Sequence, residues 1–418
     1  MPFITKSLTE RRNPGSCHRG SGIAPRAGLA LIALMLAACS AARGRRPVPF
    51  DKLKQAHVLG FPAVRGFAFE SSPALRASLL ESGQLLVSSH RKTTEPLLLE
   101  VLALSGGGPN GAFSAGFLQG WTQSGRRPEF ALVTGVSTGA LIAPFAFLGP
   151  EYDHVLQSLY TTRSSGDLFR RLPFWRALTA GALFDSTRLE RLIDTVIDER
   201  VLGAIAEEHE SGRRLLVLTT NLDAGRAVVW DMGKIAVRRD ASALGLFKRV
   251  LLASSSPPVM APPVFIEVHV DETRYDEMHV DGGVASQVFF HGLLVDLHEL
   301  RLTLGYRRDD LAVRAYILRN GVPHAEWSRV SAGLRSVASR SVAIATKAMA
   351  LGDLLRIHEL CQQSDLEFRL ATSPADIDPR GVMDFDQSAL SGLWEEGMAQ
   401  GQSADPWLRH PFEMFAER

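Results

Sequence analysis

Three short motifs in this chain contain residue types that can carry out hydrolytic chemistry. The first is Gly135-Val136-Ser137-Thr138-Gly139, which lies between the apolar segments 130–134 and 140–148. A serine on a sharp strand-to-helix turn exposes its hydroxyl, and the small residues at Gly135 and Gly139 permit the strained backbone. The following helix directs its first N–H groups toward the same point. The motif therefore predicts a nucleophilic serine at Ser137.

The second motif is a run of three glycines, Gly106, Gly107 and Gly108, directly after the apolar segment 97–104. Successive glycines let backbone N–H groups approach a developing negative oxygen, as an oxyanion hole requires. A tight loop is the ordinary alternative. A dinucleotide loop is a further alternative, because the spacing Gly106-x-Gly108-x-x-Gly111 also fits it. It is disfavoured because the next strand ends without the acidic residue such sites need.

The third motif is Asp281-Gly282-Gly283, which follows a predicted strand. A serine hydroxyl needs a base within hydrogen-bonding reach, and a partly desolvated aspartate with a raised pKa can serve. Most Asp-Gly pairs are only turns. His279 shares a strand face with Asp281 and could orient it, although an ordinary strand histidine is the favoured interpretation. The 12 histidines form no metal-binding spacing, so neither a metal nor a cofactor is expected.

Taken together, the three motifs resemble those of the patatin-like phospholipase family in order and spacing, over residues 97–300. The resemblance implies that Ser137 is the nucleophile, that Asp281 is its sole partner in a Ser–Asp dyad, and that backbone amides of Gly106–Gly108 bind the oxyanion. It implies hydrolysis of phospholipids or lysophospholipids with release of fatty acid. One departure is that Pro109 and Asn110 occupy the part of the loop where the family often carries Arg or Lys.

Apolar runs place the elements that must position these motifs. They predict strands at 97–104, 130–134, 214–220, 227–230, 264–270, 277–280, 311–318 and 366–370, and helices at 112–123, 140–148, 186–198, 246–253, 331–361 and 388–398. Successive strand–turn–helix units indicate a mainly parallel sheet with helices on both faces. With the family resemblance, this predicts a three-layer α/β/α patatin-like fold.

The N-terminus has the pattern of a bacterial lipoprotein signal. Five basic residues precede a 12-residue apolar run, 27–38, which is too short to span a membrane and ends at Cys39. Residues 1–38 are therefore interpreted as a signal peptide and 39–50 as a tether lipidated at Cys39; an uncleaved signal anchor is the alternative. Ser40 favours the outer membrane of a bacterial cell envelope, facing the periplasm. This predicts that the protein is held at a membrane.

The remaining chain is divided into an N-terminal helical extension at 51–96, a hydrolase domain at 97–400 and a tail at 401–418. The domain comprises the motif-bearing part, 97–300, and a C-terminal completion, 301–400. Lys+Arg is 46 and Asp+Glu is 45, so no strong field suggests a nucleic-acid partner. Three cysteines exclude a disulfide scaffold and a cysteine-rich zinc module.

Two other functions remain open at the sequence level. One is a Ser–His–Asp esterase of α/β-hydrolase type, whose base would be one of His291, His298, His324 or His358. The other is a non-catalytic, acyl-binding envelope lipoprotein. Residues 168–183 interleave aromatic and arginine side chains and could form a flap that contacts lipid. An ordinary amphipathic core helix with a solvated basic face is the favoured interpretation of that segment.

Overall fold

The computed structural model describes residues 44–90, 97–161, 170–290, 301, 310–321, 327–373 and 387–415. The chain divides into two compact units, Met1–Gly44 and Arg45–Arg418. The predicted signal peptide, Cys39, and most of the tether lie outside the described residues. Among the described helices, none is both long enough and apolar enough to cross a membrane.

The strands and helices of the second unit are numbered in chain order. The strands are β1 (Arg65–Phe67), β2 (Leu97–Leu104), β3 (Leu132–Val136), β4 (Arg170–Arg171), β5 (Phe184–Asp185), β6 (Arg214–Asn221), β7 (Arg226–Asp231), β8 (Val264–Val270), β9 (Thr273–Asp281), β10 (Leu311–Arg319) and β11 (Glu367–Thr372). The helices are α1 (Pro73–His90), α2 (Gly111–Gln123), α3 (Thr138–Leu148), α4 (Asp153–Thr161), α5 (Phe174–Ala180), α6 (Thr187–Val196), α7 (Glu199–Glu210), α8 (Met232–Ala236), α9 (Ala241–Ser254), α10 (Leu334–Ser364) and α11 (Gln387–Gln402).

A central sheet organises the described part of the chain, in the order β1-β7-β6-β3-β2-β10-β11. Strands β11, β10, β2, β3 and β6 run parallel, whereas β7 and β9 are antiparallel to β6. Alternate side chains of β2 enter two separate cores. Leu102 and Leu104 pack in the core that contains α2 and α3, and Val101 and Ala103 pack in the core that contains α1 and α10. The predicted mainly parallel sheet with helices on both faces is therefore confirmed.

Several predicted boundaries differ from those observed. The strand expected at 130–134 spans Leu132–Val136, because pairing with β2 and β6 begins at Leu132 and continues to the nucleophile turn. The helix expected at 186–198 corresponds to α6, Thr187–Val196, and it is followed by a further helix, α7, that was not predicted. Asp198 caps α7, because its carboxylate accepts the N–H of Val201 at 2.9 Å.

The segment expected to be a helical extension, 51–96, also contributes to the sheet. Its strand β1 pairs antiparallel with β7, with Gly66 opposite Val229. At the other end of the chain, Leu408 of the predicted tail exchanges two backbone hydrogen bonds with Leu370 of β11. Both flanking segments therefore add hydrogen bonds to the same sheet that carries the three motifs.

Candidate active site

Ser137 occupies a strained turn between β3 and α3. Its backbone angles are φ 56° and ψ −123°, a left-handed conformation that costs a non-glycine residue about 1–3 kcal/mol. Two serines at the end of α9 hold the turn: the N–H of Ser137 donates to Oγ of Ser254 at 3.0 Å, and Oγ of Ser255 donates to the carbonyl of Ser137 at 3.2 Å. A Cβ on Gly139 would lie 2.5 Å from the carbonyl oxygen of Leu104, so a side chain there is excluded.

Asp281 ends β9 and lies directly beside Ser137. Oγ of Ser137 donates to Oδ2 of Asp281 at 2.6 Å, and the N–H of Gly283 donates to Oδ1 at 2.7 Å. Strand β9 pairs antiparallel with β6, and this pairing places Asp281 opposite Thr219. Because β6 is next to β3 in the sheet, Asp281 lies close to the turn that follows β3. Only 5% of Asp281 is exposed, and this burial raises the pKa of its carboxyl to about 7 despite the two hydrogen bonds. A buried carboxyl with a raised pKa therefore lies within hydrogen-bonding distance of the Ser137 hydroxyl.

The glycine loop contacts the nucleophile, but one of its three amides is already engaged. A Cβ on Gly106 would lie 3.3 Å from Cβ of Ser137, whereas the N–H of Gly106 donates to the carbonyl of Gln287 at 2.8 Å. The expectation that Gly106 supplies an oxyanion amide is therefore wrong. Among the described residues, the N–H groups of Gly107 and Gly108 donate no backbone hydrogen bond in a turn or loop. The φ angles of these two glycines are 150° and 55°.

A third amide is placed to act with these two. Thr138 is the first residue of α3, and N–H groups in the first turn of a helix have no partner within the helix. The residue after the nucleophile commonly supplies such a donor on strand–serine–helix turns. Gly107, Gly108 and Thr138 therefore form the candidate oxyanion hole, in place of the predicted Gly106–Gly108.

Two residues that the sequence analysis missed hold these motifs in register. The backbone carbonyl of Gln287 accepts from the N–H of Gly106, and its side-chain Nε2 donates to the carbonyl of Gly283 at 2.5 Å, so Gln287 connects the glycine loop to the turn after Asp281. Asn320, after β10, donates through Nδ2 to the carbonyl of Ser105 at 2.9 Å. Neither residue has a spacing or motif signal, because each contacts the glycine loop from a position far away in the chain.

Comparison with known proteins gives a family match over part of the chain. Residues 102–294 match the family model described as patatin-like phospholipase. These residues form a patatin-like phospholipase domain. Among solved structures, the chain is similar to the crystal structure of VipD from Legionella pneumophila, with 12% identity and a TM-score of 0.30. That alignment covers 73% of this chain and 66% of VipD, just under two thirds of its length. Comparison with curated proteins found no match.

The match to a patatin-like phospholipase domain supports a lipid acyl hydrolase in general. Ser137, Asp281, the glycine loop and Gln287 all fall inside the matched residues, whereas Asn320 lies beyond them. Within the described part of the chain, no group of three or more His, Cys, Asp or Glu side chains is arranged to hold a metal ion. The site therefore consists of a hydroxyl, a carboxyl and backbone amides.

Within the described part of the chain, the ring nitrogens of His279 contact Thr219 and Glu277 rather than Ser137 or Asp281. Nε1 of Trp230 donates to Oγ1 of Thr219 at 2.8 Å, which leaves the threonine hydroxyl to donate to Nδ1 of His279 at 2.9 Å. Nε2 of His279 then donates to Glu277 at 3.1 Å. Burial lowers the pKa of His279, so the neutral ring is retained. The side chain serves a buried polar network, as an ordinary strand histidine does.

Arg65, from the N-terminal segment, pairs with Glu277 and so completes the buried polar network around His279. Burial opposes ionisation of Glu277, but the charge and hydrogen bonds of Arg65 lower its pKa to about 2. Of the histidines considered for a Ser–His–Asp triad, His358 packs against the rings of Phe368 and His410, with centroids 5.1 and 4.4 Å away. His291, His298 and His324 lie outside the described residues.

The described part of segment 168–183 exposes its aromatic side chains. Phe174 and Trp175 of α5 are 77% and 71% exposed, so the expectation of an amphipathic core helix is wrong. The helix is only seven residues long and is held by its flanks. The N–H of Leu183 donates to the carbonyl of Val259 at 2.7 Å, so the arm is attached to the segment that follows Ser254 and Ser255. The exposed aromatic pair thus lies on a short helix whose C-terminal flank is hydrogen-bonded to the segment that follows Ser254 and Ser255.

Proposed function

We propose that this protein hydrolyses carboxylic ester bonds of phospholipids or lysophospholipids through a Ser137–Asp281 dyad and an acyl-enzyme intermediate. The observation that carries the proposal is the 2.6 Å hydrogen bond from Oγ of Ser137 to a buried carboxylate whose pKa is raised to about 7. A base whose pKa lies near the working pH removes a proton most effectively. The patatin-like phospholipase domain supports a lipid ester as the substrate.

The first half-reaction forms the acyl-enzyme. Oγ of Ser137 attacks the acyl carbonyl while Asp281 takes its proton, which converts the carbonyl oxygen into an oxyanion. Donors aimed at that developing charge stabilise the transition state more than the ground state, and in this proposal the amides of Gly107, Gly108 and Thr138 are those donors. The tetrahedral intermediate collapses when Asp281 returns the proton to the glycerol oxygen that leaves.

The second half-reaction repeats these roles with water. Asp281 takes a proton from a water molecule, whose oxygen attacks the acyl carbonyl of the ester at Ser137. Collapse releases the fatty acid, and the proton passes from Asp281 to Oγ of Ser137. Each proton removed is returned within the cycle, so the dyad needs no other acid, base or metal.

The decisive experiment combines labelling with turnover. A fluorophosphonate probe should label the wild type and the S89A control, in which an exposed serine is replaced, but should not label S137A. Hydrolysis of phospholipid and lysophospholipid should fall by about 10⁴-fold or more in S137A. If folded wild-type protein is neither labelled nor active, the proposal is rejected in favour of a non-catalytic acyl-binding protein.

We further propose that Cys39 carries a lipid anchor that holds the enzyme at the outer membrane, facing the periplasm. The support is the basic and apolar N-terminal pattern that ends at Cys39. Labelled palmitate should be incorporated into the wild type when it is expressed in bacteria, and the C39A variant should not be labelled. Labelling of C39A equal to that of the wild type would contradict the anchor.

A further inference from the structure

Arg319 is the last residue of β10 and lies on the edge of the sheet from which the active site projects. Strand β10 runs parallel to β2, with Leu318 opposite Leu104, so Arg319 is level with Ser105 at the start of the glycine loop. The next residue, Asn320, holds that loop. Ligands of open α/β sheets bind outside the carboxyl ends of the strands, and Arg319 occupies such an end.

The guanidinium of Arg319 is buried without an opposing charge among the described residues. Only 6% of the residue is exposed, Nη1 donates to the carbonyl of Gly321 at 2.7 Å, and Nε has no hydrogen-bond partner in that part of the chain. No ion pair joins Arg319 to a carboxylate in the described part of the chain, and burial alone lowers its pKa to about 10. A buried charge is costly unless something compensates it.

Other buried arginines of this protein are compensated. Arg127 pairs with Asp153 at 2.7 Å, and Arg213 pairs with Glu208 at 2.8 Å. Arg214 pairs with Glu81 at 3.2 Å. The absence of a carboxylate at Arg319 within the described residues therefore distinguishes it from arginines that serve the fold.

A second donor, the side-chain amide of Asn110, lies close to Arg319. A Cβ on Gly321 would lie 3.7 Å from Nη1 of Arg319 and 3.5 Å from Nδ2 of Asn110. Asn110 follows the glycine loop, and its side chain forms no capping hydrogen bond with α2. Gly321 itself has a φ of 126° and leaves this space free of a side chain. One cationic and one neutral N–H donor thus lie within 4 Å of the same position beside the glycine loop.

We propose that Arg319, assisted by Asn110, binds the phosphate group of the phospholipid or lysophospholipid whose acyl ester lies at Ser137. This inference rests on the proposed function. It adds that the enzyme recognises its substrate by the phosphate group and so prefers a phosphate-bearing lipid. Strands β3 and β10 are two strand spacings apart, about 9–10 Å, a separation that the glycerol unit and the reach of an arginine side chain span. Guanidinium donors match phosphate oxygens in pairs, and the buried cation would gain its counter-charge only when substrate is bound.

The test compares two substrates with the same acyl chain, lysophosphatidylcholine and a monoacylglycerol, which differ in the phosphate-bearing head group. The quantity measured is the ratio of kcat/KM for the two. R319Q should lower this ratio about tenfold to a hundredfold, as loss of a charged hydrogen bond predicts, and R319K should restore part of it. R329Q is the matched control, because Arg329 is also an arginine but is exposed; its ratio should equal that of the wild type.

Two further measurements determine whether each variant is folded and whether the site binds a lipid phosphate or a free phosphate ion. Fluorophosphonate labelling of Ser137 in R319Q and R319K reports whether each variant retains its active site. If labelled R319Q keeps the wild-type ratio, the proposal is overturned. It is also overturned if inorganic phosphate raises the melting temperature of the wild type but not of R319Q while the ratio stays constant, because the site then binds a free anion. If the wild type hydrolyses neither lipid, the proposed function itself has failed.

Discussion

The hydroxyl of Ser137 donates to Oδ2 of Asp281 at 2.6 Å, although 144 positions separate the two residues in the chain. The pairing of β9 with β6 brings them together at one edge of the sheet. The same pairing buries the Asp281 carboxyl, and burial is the largest cause of its raised pKa. This single contact therefore sets both the chemistry and its dependence on pH.

Ester hydrolysis should rise with pH through about 7. Asp281 acts as a base only when ionised, and burial raises its pKa from the ordinary aspartate range to about 7. Below this value, kcat/KM should increase about tenfold for each pH unit, and above it the profile should level. A soluble ester with no titrating group is the appropriate substrate. A profile that is already level at pH 5 would contradict the assigned base.

The variant D281N should gain stability relative to the wild type as pH rises. Because the folded pKa of Asp281 is raised, the folded state binds more protons than the unfolded state between about pH 4 and 7. The free energy of unfolding of the wild type then falls through this window, whereas the side-chain amide introduced by D281N does not titrate. Urea unfolding at pH 5 and pH 8 measures the difference, which should be larger at pH 8. An equal difference at both values would refute the raised pKa.

Replacing Gly107 by Ala should lower kcat/KM by about 10²-fold or more. The φ of Gly107 is 150°, and a Cβ there would lie 2.5 Å from the carbonyl oxygen of Asn320, so the loop must shift and move its amides. Loss of one oxyanion donor alone costs about this much. G203A is the control, because a Cβ on Gly203 in α7 meets nothing within 4 Å. Comparable losses in the two variants would show a general glycine effect rather than a role for the loop.

Histidine substitutions should separate a dyad from a triad. H358A, and Ala variants of His291, His298 and His324, should each keep kcat/KM within about threefold of the wild type, since removing a true triad base costs far more. H279Q should reduce the melting temperature, because His279 connects Thr219 to Glu277, but the labelled fraction should keep its pH profile. A loss near 10⁴-fold at any one histidine would favour the Ser–His–Asp alternative.

The aromatic pair on α5 should favour substrate presented in a bilayer. The large exposed rings of Phe174 and Trp175 can enter the interfacial region of a membrane, and the neighbouring Arg170 and Arg171 can meet lipid phosphates. The double variant F174A/W175A should lower the ratio of vesicle hydrolysis to soluble-ester hydrolysis about tenfold or more. W327A removes a tryptophan that is 91% exposed elsewhere and should not change the ratio. Equal ratios in all three proteins would exclude a role for the pair.

Much of the fold could be predicted from local sequence. The apolar run 97–104 corresponds to β2 residue for residue, and the turn motif at Ser137 lies between a strand and a helix as expected. Such features depend on neighbours along the chain, whose polarity and backbone preferences are visible in the sequence. The helix expected at 186–198 is observed as α6, whereas α7, which begins after the Asp198 cap, was not predicted.

By itself, the sequence determined the three motifs, their order and the α/β units that carry them, because each depends on a few adjacent residues. The tertiary structure decided which polar groups have hydrogen-bond or ion-pair partners. It showed that the amide of Gly106 is taken by Gln287, that His279 belongs to a buried network, and that Arg319 has no opposing carboxylate among the described residues. These outcomes depend on strand register and on contacts between residues 60 to more than 200 positions apart. No local pattern encodes such partners.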